Sequence, residues 1–409
     1  MRQEFQMEIT DLAFGGDGVG RIDNMVCFVP YTVPEDVVRV EVTERKKNFL
    51  RGRTLEIVHP SPWRTDPVCP HFGVCGGCNW QHVKYERQLT AKQNHLKNIL
   101  RKITGIDAEV GEVVPSEKIY HYRRSGRLQV SPGGKLGFFR SGSTSVVPIR
   151  SCPIFEEALN SALPDIEAEL QTLRPLPVEV EIESRDGLHA DYSFLYPGDH
   201  SQQGFIQANR HVNTLLQTYV RSRIAESVAA GDSAAPGRSP IRSPDQSSAP
   251  PSGQSPDAAH LVLDLYCGDG NLSLPLHGLP VHVRGYDISA PAVARARAEA
   301  AAGDLSHFVY SQSALQAVLE EIIEHREKVA AVICDPPRQG LGAMSTVMAS
   351  IRAPLFVYIS CIPAILARDL QVFLKSGYIL RDIQPMDMFP HTFHLETAAV
   401  LELDGGGDP

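Results

Sequence analysis

The chain has 409 residues, with 39 Lys and Arg against 48 Asp and Glu, a formal net charge of −9 at pH 7, and 43% hydrophobic residues. That length is enough for two or three domains that each bury a core, and no apolar run approaches the length of a membrane span. The acidic balance excludes a uniformly basic nucleic-acid coat, so any nucleic acid must be held by local patches, with salt-sensitive affinity.

The first residues, MRQEFQMEITDL, lack the apolar centre of a secretory signal. Residues 1 to 60 run in short alternating stretches such as VCFVP and VVRVEVTE, punctuated by AFGGDGVG and the Val33-Pro34 turn. This pattern predicts a small oligonucleotide-binding β-barrel. Arg45, Lys46, Lys47, Arg51 and Arg53 crowd one part of it. They make either a phosphate-binding face or a solvated strand edge.

CPHFGVCGGCNWQH then supplies Cys69, Cys75 and Cys78, and a fourth cysteine, Cys152, follows in IRSCPIF. Four thiolates suit zinc or an iron–sulfur cluster; zinc usually takes two close pairs, so three clustered cysteines plus a remote one favour [4Fe–4S]. Disulfides are the third reading. The missing signal argues against them and for a reducing cytoplasm. HYRRSGRLQV adds Arg123, Arg124 and Arg127 near Phe138, Phe139 and Arg140, a mixture that suits the stacking of unpaired bases.

From Ala229 to Ala259 the chain is rich in Pro, Ser, Ala and Gly, which predicts a disordered insertion inside one domain. Beyond it, LVLDLYCGDGN (Leu261 to Asn271) reads as an apolar strand entering a glycine turn, where Gly268 and Gly270 let the backbone approach a ligand. VHVRGYDIS closes the next strand on Asp287, whose carboxylate can take two ribose hydroxyls. HFVYS, VAAVICD, PLFVYIS and GYILRDI continue an alternating β/α pattern. Asp335 in VICDPPRQG falls at the carboxyl end of its strand, where such sheets bind ligands.

Cys361 ends the PLFVYIS strand and precedes the helix of CIPAILARDLQVFL. A buried structural cysteine is the bland alternative, but amides at a helix start favour the thiolate, and the cofactor pattern beside it makes Cys361 a candidate nucleophile. Glu396 follows in HTFHLE; His391 and His394 lack a third metal ligand and read as shaping that loop.

LDLYCGDGN, CDPPRQG, SCIP and HTFHLE, in this order and with FIQANR upstream, resemble the S-adenosylmethionine-dependent RNA uracil-5-methyltransferases over nearly the whole chain. The first residues resemble a TRAM domain. The resemblance implies that Cys361 adds to carbon 6 of a uracil, that carbon 5 then takes the methyl group, and that Glu396 removes the carbon 5 proton so that the cysteine can leave. The base is expected to leave its stack for this. By position, the resemblance puts Gln207, Tyr266, Asn271, Asp287 and Asp335 around the cofactor, Ser313 near the adenine, and a [4Fe–4S] cluster on Cys69, Cys75, Cys78 and Cys152. The spacing is not that of radical enzymes and all four cysteines are used, so a structural or RNA-positioning cluster is implied. Ile362 stands where the family commonly has Asn, and Asp287 where it commonly has Glu.

The expected fold is α/β: a TRAM-like barrel at 1–60, a central iron–sulfur α+β domain contacting RNA at 61–198, and a Rossmann-like class I methyltransferase domain at 199–409 that carries the 229–259 insertion. Barrel and cluster together most resemble the branch acting on 23S rRNA, working as a cytoplasmic monomer without a membrane. The alternatives are tRNA uridine methylation, cytosine methylation, which suits Glu396 and the cysteine after the DPPR strand less well, and a non-catalytic RNA-binding or chaperone protein on this fold.

Overall fold

The computed structural model describes residues 3–199, 206–233 and 260–404. It forms two compact units: Met1–Ile99 with Val110–Asn213 and Pro385–Glu396, and Leu100–Glu109 with Thr214–Gln384 and Thr397–Pro409.

In the first unit, β1 (Glu4–Leu12), β2 (Gly18–Ile22), β3 (Met25–Val29), β4 (Val37–Arg45) and β5 (Phe49–His59) close a barrel in the order β1-β2-β3-β5-β4. Alternation along the strands turns Ile9, Cys27, Val29, Val38, Val40 and Leu50 inward, and closure leaves no strand edge to aggregate. Asp36, fully buried, holds the barrel's end: its carboxylate accepts from Val33 N at 2.7 Å and Ser61 N at 2.8 Å, and pairs with Arg64.

The cysteine-bearing segment follows, and then α1 (Tyr85–Thr104). β6 (Ser125–Val130), β7 (Leu136–Phe139), β8 (Val146–Pro148), β9 (Glu179–Glu183) and β10 (Asp191–Leu195) make an antiparallel sheet, order β10-β9-β6-β7-β8. Leu159, Leu163, Ile166 and Leu170 of α2 (Glu157–Leu170) recur at helical spacing and pack on Leu128, Leu136 and Val180 of this sheet.

The second unit is built on a seven-stranded sheet of β11 (His260–Leu265), β12 (Val281–Asp287), β13 (Phe308–Gln312), β14 (Ala331–Cys334), β15 (Leu355–Ser360), β16 (Tyr378–Met386) and β17 (Glu396–Leu403), in the order β13-β12-β11-β14-β15-β17-β16. β11 to β15 are mutually parallel and β17 runs antiparallel to β15. Every residue of β14 and β15 is buried, as expected of strands covered on both faces. The connections carry α4 (Ala290–Ala302), α5 (Leu315–Glu324), α6 (Met344–Ala349) and α7 (Pro363–Lys375). The strands expected from HFVYS, VAAVICD, PLFVYIS and GYILRDI are all present.

α3 (Arg210–Ser233) runs on through the first residues of the stretch read as an insertion from Ala229. The alanines there extend the helix at little cost. The rest of that insertion lies outside the described residues. Among the described residues, no helix is long and apolar enough to cross a membrane.

Candidate active site

The glycine turn after β11 is tightly wound. Tyr266, Gly268 and Gly270 all have positive φ, at 60°, 54° and 81°. A Cβ on Gly270 would stand 2.9 Å from Leu274, so only glycine fits there. Tyr266 is a bulky residue held in the left-handed region, the kind of strain that functional turns carry.

The neighbouring strand ends gather around this turn. Gly268 N donates to Asp287 Oδ2 at 3.0 Å and Ser289 N to Asp287 Oδ1 at 2.8 Å, so both oxygens of this short carboxylate are already fixed by the backbone. Ser313 N donates to the Asp287 carbonyl at 3.0 Å, and Asp335 N to the Leu265 carbonyl at 3.4 Å. Gln217 on α3 donates to the Asn271 carbonyl at 2.9 Å and to its Oδ1 at 3.0 Å. Tyr266, Asn271, Asp287, Ser313 and Asp335 are therefore brought together at the carboxyl ends of β11 to β14.

Gln207 lies in the first unit, buried, with Arg124 Nε donating to its carbonyl at 2.8 Å.

Two residues of this region carry no sequence signal of their own. Gln217 sits on a helix without a motif, and Asp264 reads as strand interior. Asp264 is buried, accepts from Ser273 Oγ at 2.5 Å, and has its carboxyl pushed up to about 7, mainly by burial. The charges of Asp335, Asp287 and Asp269 raise it further, so four carboxylates converge on this end of the sheet. Burial likewise raises the Tyr266 phenol to about 12.

Cys361, half-buried, follows β15, and Ile362 is the N-cap of α7 with no side-chain cap. Ser360 Oγ accepts from Ile362 N at 3.2 Å. Asp369, which carries no sequence signal either, accepts from Leu341 N at 2.8 Å, Tyr358 Oη at 2.7 Å and Arg368 Nε at 2.9 Å. It ties the loop after Asp335-Pro336-Pro337-Arg338 to the helix that follows Cys361. Gly340 is wedged against it: a Cβ would lie 2.5 Å from Asp369 Oδ2 and 2.3 Å from Ile365.

Glu396 opens β17 and is only 3% exposed, unlike a surface carboxylate. The loop before it bends at His391, whose φ is 67°. His391 is buried, its carbonyl accepts from Asn79 N and Trp80 N at 2.9 Å each, and its ring stacks on Tyr120 at 4.5 Å. Burial lowers this imidazole to about 4, so it is neutral at physiological pH.

Cys69, Cys75, Cys78 and Cys152 line one cavity of about 180 Å³, together with Arg123, Arg127 and Phe138. Burial pushes the Cys78 thiol up to about 12 and Cys152 to about 11, and raises Cys75. Gly77 N donates to Cys75 Sγ at 3.4 Å. Among the described residues, no three His, Cys, Asp or Glu side chains are gathered as ligands of a single metal ion.

Arg123, Arg127 and Phe138, read from the sequence as suiting stacked bases, line the cysteine cavity. Arg127 also pairs with Glu181 at 2.5 Å and Glu179 at 3.4 Å. On the barrel, Arg39 pairs with Glu56 at 3.0 Å, Lys46 with Glu44 at 2.7 Å and Arg53 with Glu41 at 2.7 Å. Arg45 and Lys47 are exposed at the β4–β5 turn.

Comparison with known proteins agrees with this geometry. The crystal structure of Pyrococcus abyssi tRNA (uracil-54, C5)-methyltransferase in complex with S-adenosyl-L-homocysteine superposes with a TM-score of 0.64 at 22% identity, over 97% of this chain and 100% of that one. With its glycine turn and converging strand ends, the fold is that of a class I S-adenosylmethionine-dependent methyltransferase. Residues 254–403 match the model of the tRNA (Uracil-5-)-methyltransferase family, and residues 1–55 that of the TRAM domain. The 23S rRNA (uracil(1939)-C(5))-methyltransferase RlmD of Shewanella halifaxensis is 31% identical over 98% of this chain and 96% of its own. The enzyme of the same name from Vibrio campbellii is 29% identical over 97% and 95%. The chain belongs to the RNA uracil-5-methyltransferase family.

Proposed function

We propose that the protein methylates carbon 5 of a uridine in 23S rRNA through a covalent cysteine adduct. The observation that carries this reading is the last rung of the β15–β17 ladder, where Ser360 faces Thr397. Cys361 is the next residue along one strand and Glu396 the residue before the other. Cys361 Sγ adds to carbon 6, and the electron pair moves to carbon 5, which takes the methyl group of S-adenosylmethionine and releases the neutral thioether. Glu396 then accepts the carbon 5 proton; the carbon 5–carbon 6 double bond reforms and the Cys361 thiolate leaves. Tyr266, Asn271, Asp287, Ser313 and Asp335 hold the cofactor in this reading, and the resemblance of FIQANR to the family's element implies the same task for Gln207.

We also assign a [4Fe–4S] cluster to Cys69, Cys75, Cys78 and Cys152. Their common cavity and the neighbouring Arg123 and Arg127 cations support it, since thiolate ligands need compensating charge. The cluster would supply a cross-link between the 69–78 loop and the Cys152 segment. Functionally the chain divides, in this reading, into barrel (1–60), cluster domain (61–198) and catalytic domain (199–409). None of the eight cysteines is in a disulfide, which suits a reducing, cytoplasmic compartment, and we read the chain as a monomer.

Mapping 5-methyluridine in RNA from a strain lacking the gene tests the substrate. Loss of one 5-methyluridine from 23S rRNA is the expected result; loss from tRNA alone would move the assignment to tRNA.

A further inference from the structure

Helix α1 carries two polar side chains that no part of the proposed chemistry uses. Gln88 and Lys92 are four residues apart, hence on one helix face, and both are fully buried. Lys92 Nζ donates to Asp387 Oδ1 at 2.5 Å and to the Phe389 carbonyl at 3.0 Å. Gln88 Oε1 accepts from His391 N at 2.9 Å, and its Nε2 lies 3.3 Å from His391 Nδ1 while donating to the Val83 carbonyl at 2.8 Å. These contacts grip three successive points of the loop that delivers Glu396, including His391 in its left-handed conformation. Residues 385–396 and this part of α1 belong to the same compact unit.

Leucine at either position would pack more cheaply than a buried amide or ammonium. A buried ion pair is seldom a net source of stability, and its best-attested use is to fix one arrangement against others. Here the arrangement fixed is that of a backbone loop, through a carbonyl, an amide and a carboxylate.

We propose that Gln88 and Lys92 are positioning residues for Glu396: they hold the 387–395 loop so that the carboxylate meets the carbon 5 proton, and they act on adduct breakdown and not on methyl transfer. The inference rests on the reading of Glu396 as the base.

The test is a single-turnover assay with methyl-labelled S-adenosylmethionine and total RNA from a strain lacking the gene. It follows both label incorporation and the denaturant-resistant protein–RNA adduct. Gln88→Met should incorporate label within about 3-fold of wild type, yet release RNA at least about 10-fold more slowly and accumulate the adduct, a fraction of the full general-base contribution. Gln88→Glu keeps the oxygen that accepts from His391 N and should restore most of the release rate. Lys92→Met/Asp387→Leu, which removes both charges together, should show the same selective slowing and keeps the question open to measurement if Gln88→Met fails to fold. Equal slowing of both steps, or release at the wild-type rate, overturns the proposal. Glu396→Gln is run alongside. If it accumulates adduct and the α1 variants do not, only the positioning role falls; if it does not, the base assignment falls and the positioning role with it.

Discussion

Ser360 and Thr397 face each other on the final rung between β15 and β17. Because the strands are antiparallel, the chain leaves β15 into Cys361 at the same end of the sheet at which it enters β17 from Glu396. The proposed mechanism, in which a nucleophile and a base act in succession on adjacent carbons of one ring, needs such a common origin.

Substitutions at these two residues should therefore fail at different points. Cys361→Ala should bind S-adenosylmethionine and RNA but form neither product nor adduct. Glu396→Gln should transfer the methyl group and then stall, lowering turnover by about 10²–10⁴-fold while a labelled protein–RNA adduct accumulates. Normal turnover by Cys361→Ala would end the covalent mechanism, and free turnover by Glu396→Gln would move the base elsewhere.

Anaerobically purified protein should be brown and contain about four irons per chain. Cys152→Ser should lose iron and lower the melting temperature, since the remote ligand joins two segments. Stoichiometric zinc in place of iron, measured by elemental analysis, would refute the cluster.

Asp264 makes stability depend on pH. In the cofactor-free native protein it keeps its proton to about pH 7, against 3.8 ordinarily, so the native state binds more protons between these values and stability falls as pH rises through them. The shift of roughly three units corresponds to about 4 kcal/mol, present below pH 3.8 and lost above 7. Asp264→Asn has no proton to lose. Its stability relative to wild type should thus climb between pH 4 and pH 7.5 in denaturant titrations. His82 and His391, each lowered to about 4 by burial, act in the opposite sense but equally in both proteins, and cancel in the difference. A flat difference would mean that Asp264 ionises normally.

Ile362 leaves the first turn of α7 without a side-chain acceptor. Ile362→Asn should cap it and add about 1 kcal/mol, seen as a rise of about 2–4 °C in melting temperature. An unchanged melting temperature would show that the first-turn amides are already satisfied without a side-chain cap.

The catalytic sheet was legible because its strands are continuous apolar runs between turn residues, and its ligand-binding ends carry glycines and acids at fixed offsets. Cys361 and the strand ends at Asp287 and Asp335 fall where that pattern puts them. Asp264, Gln217 and Asp369 were not legible, since each acts through partners in other elements that no local pattern announces: Ser273 for the first, Asn271 for the second, Leu341 and Tyr358 for the third. Arg127 reads as a cation among aromatics that suits stacked bases; its ion pairs with Glu179 and Glu181 come from β9, across the sheet and far along the chain.

β17 is the last strand in chain order among the described residues, yet its place is between β15 and β16, one in from the sheet's edge. Until the ribosome has made it, the outer edge of β15 is an open row of backbone donors and acceptors and β16 has nothing to pair with. The same segment begins with Glu396. The growing polypeptide therefore completes its sheet and, in the proposed mechanism, acquires its base in a single late event, so a nascent chain that already displays Cys361 would have no means of releasing an RNA it attacks.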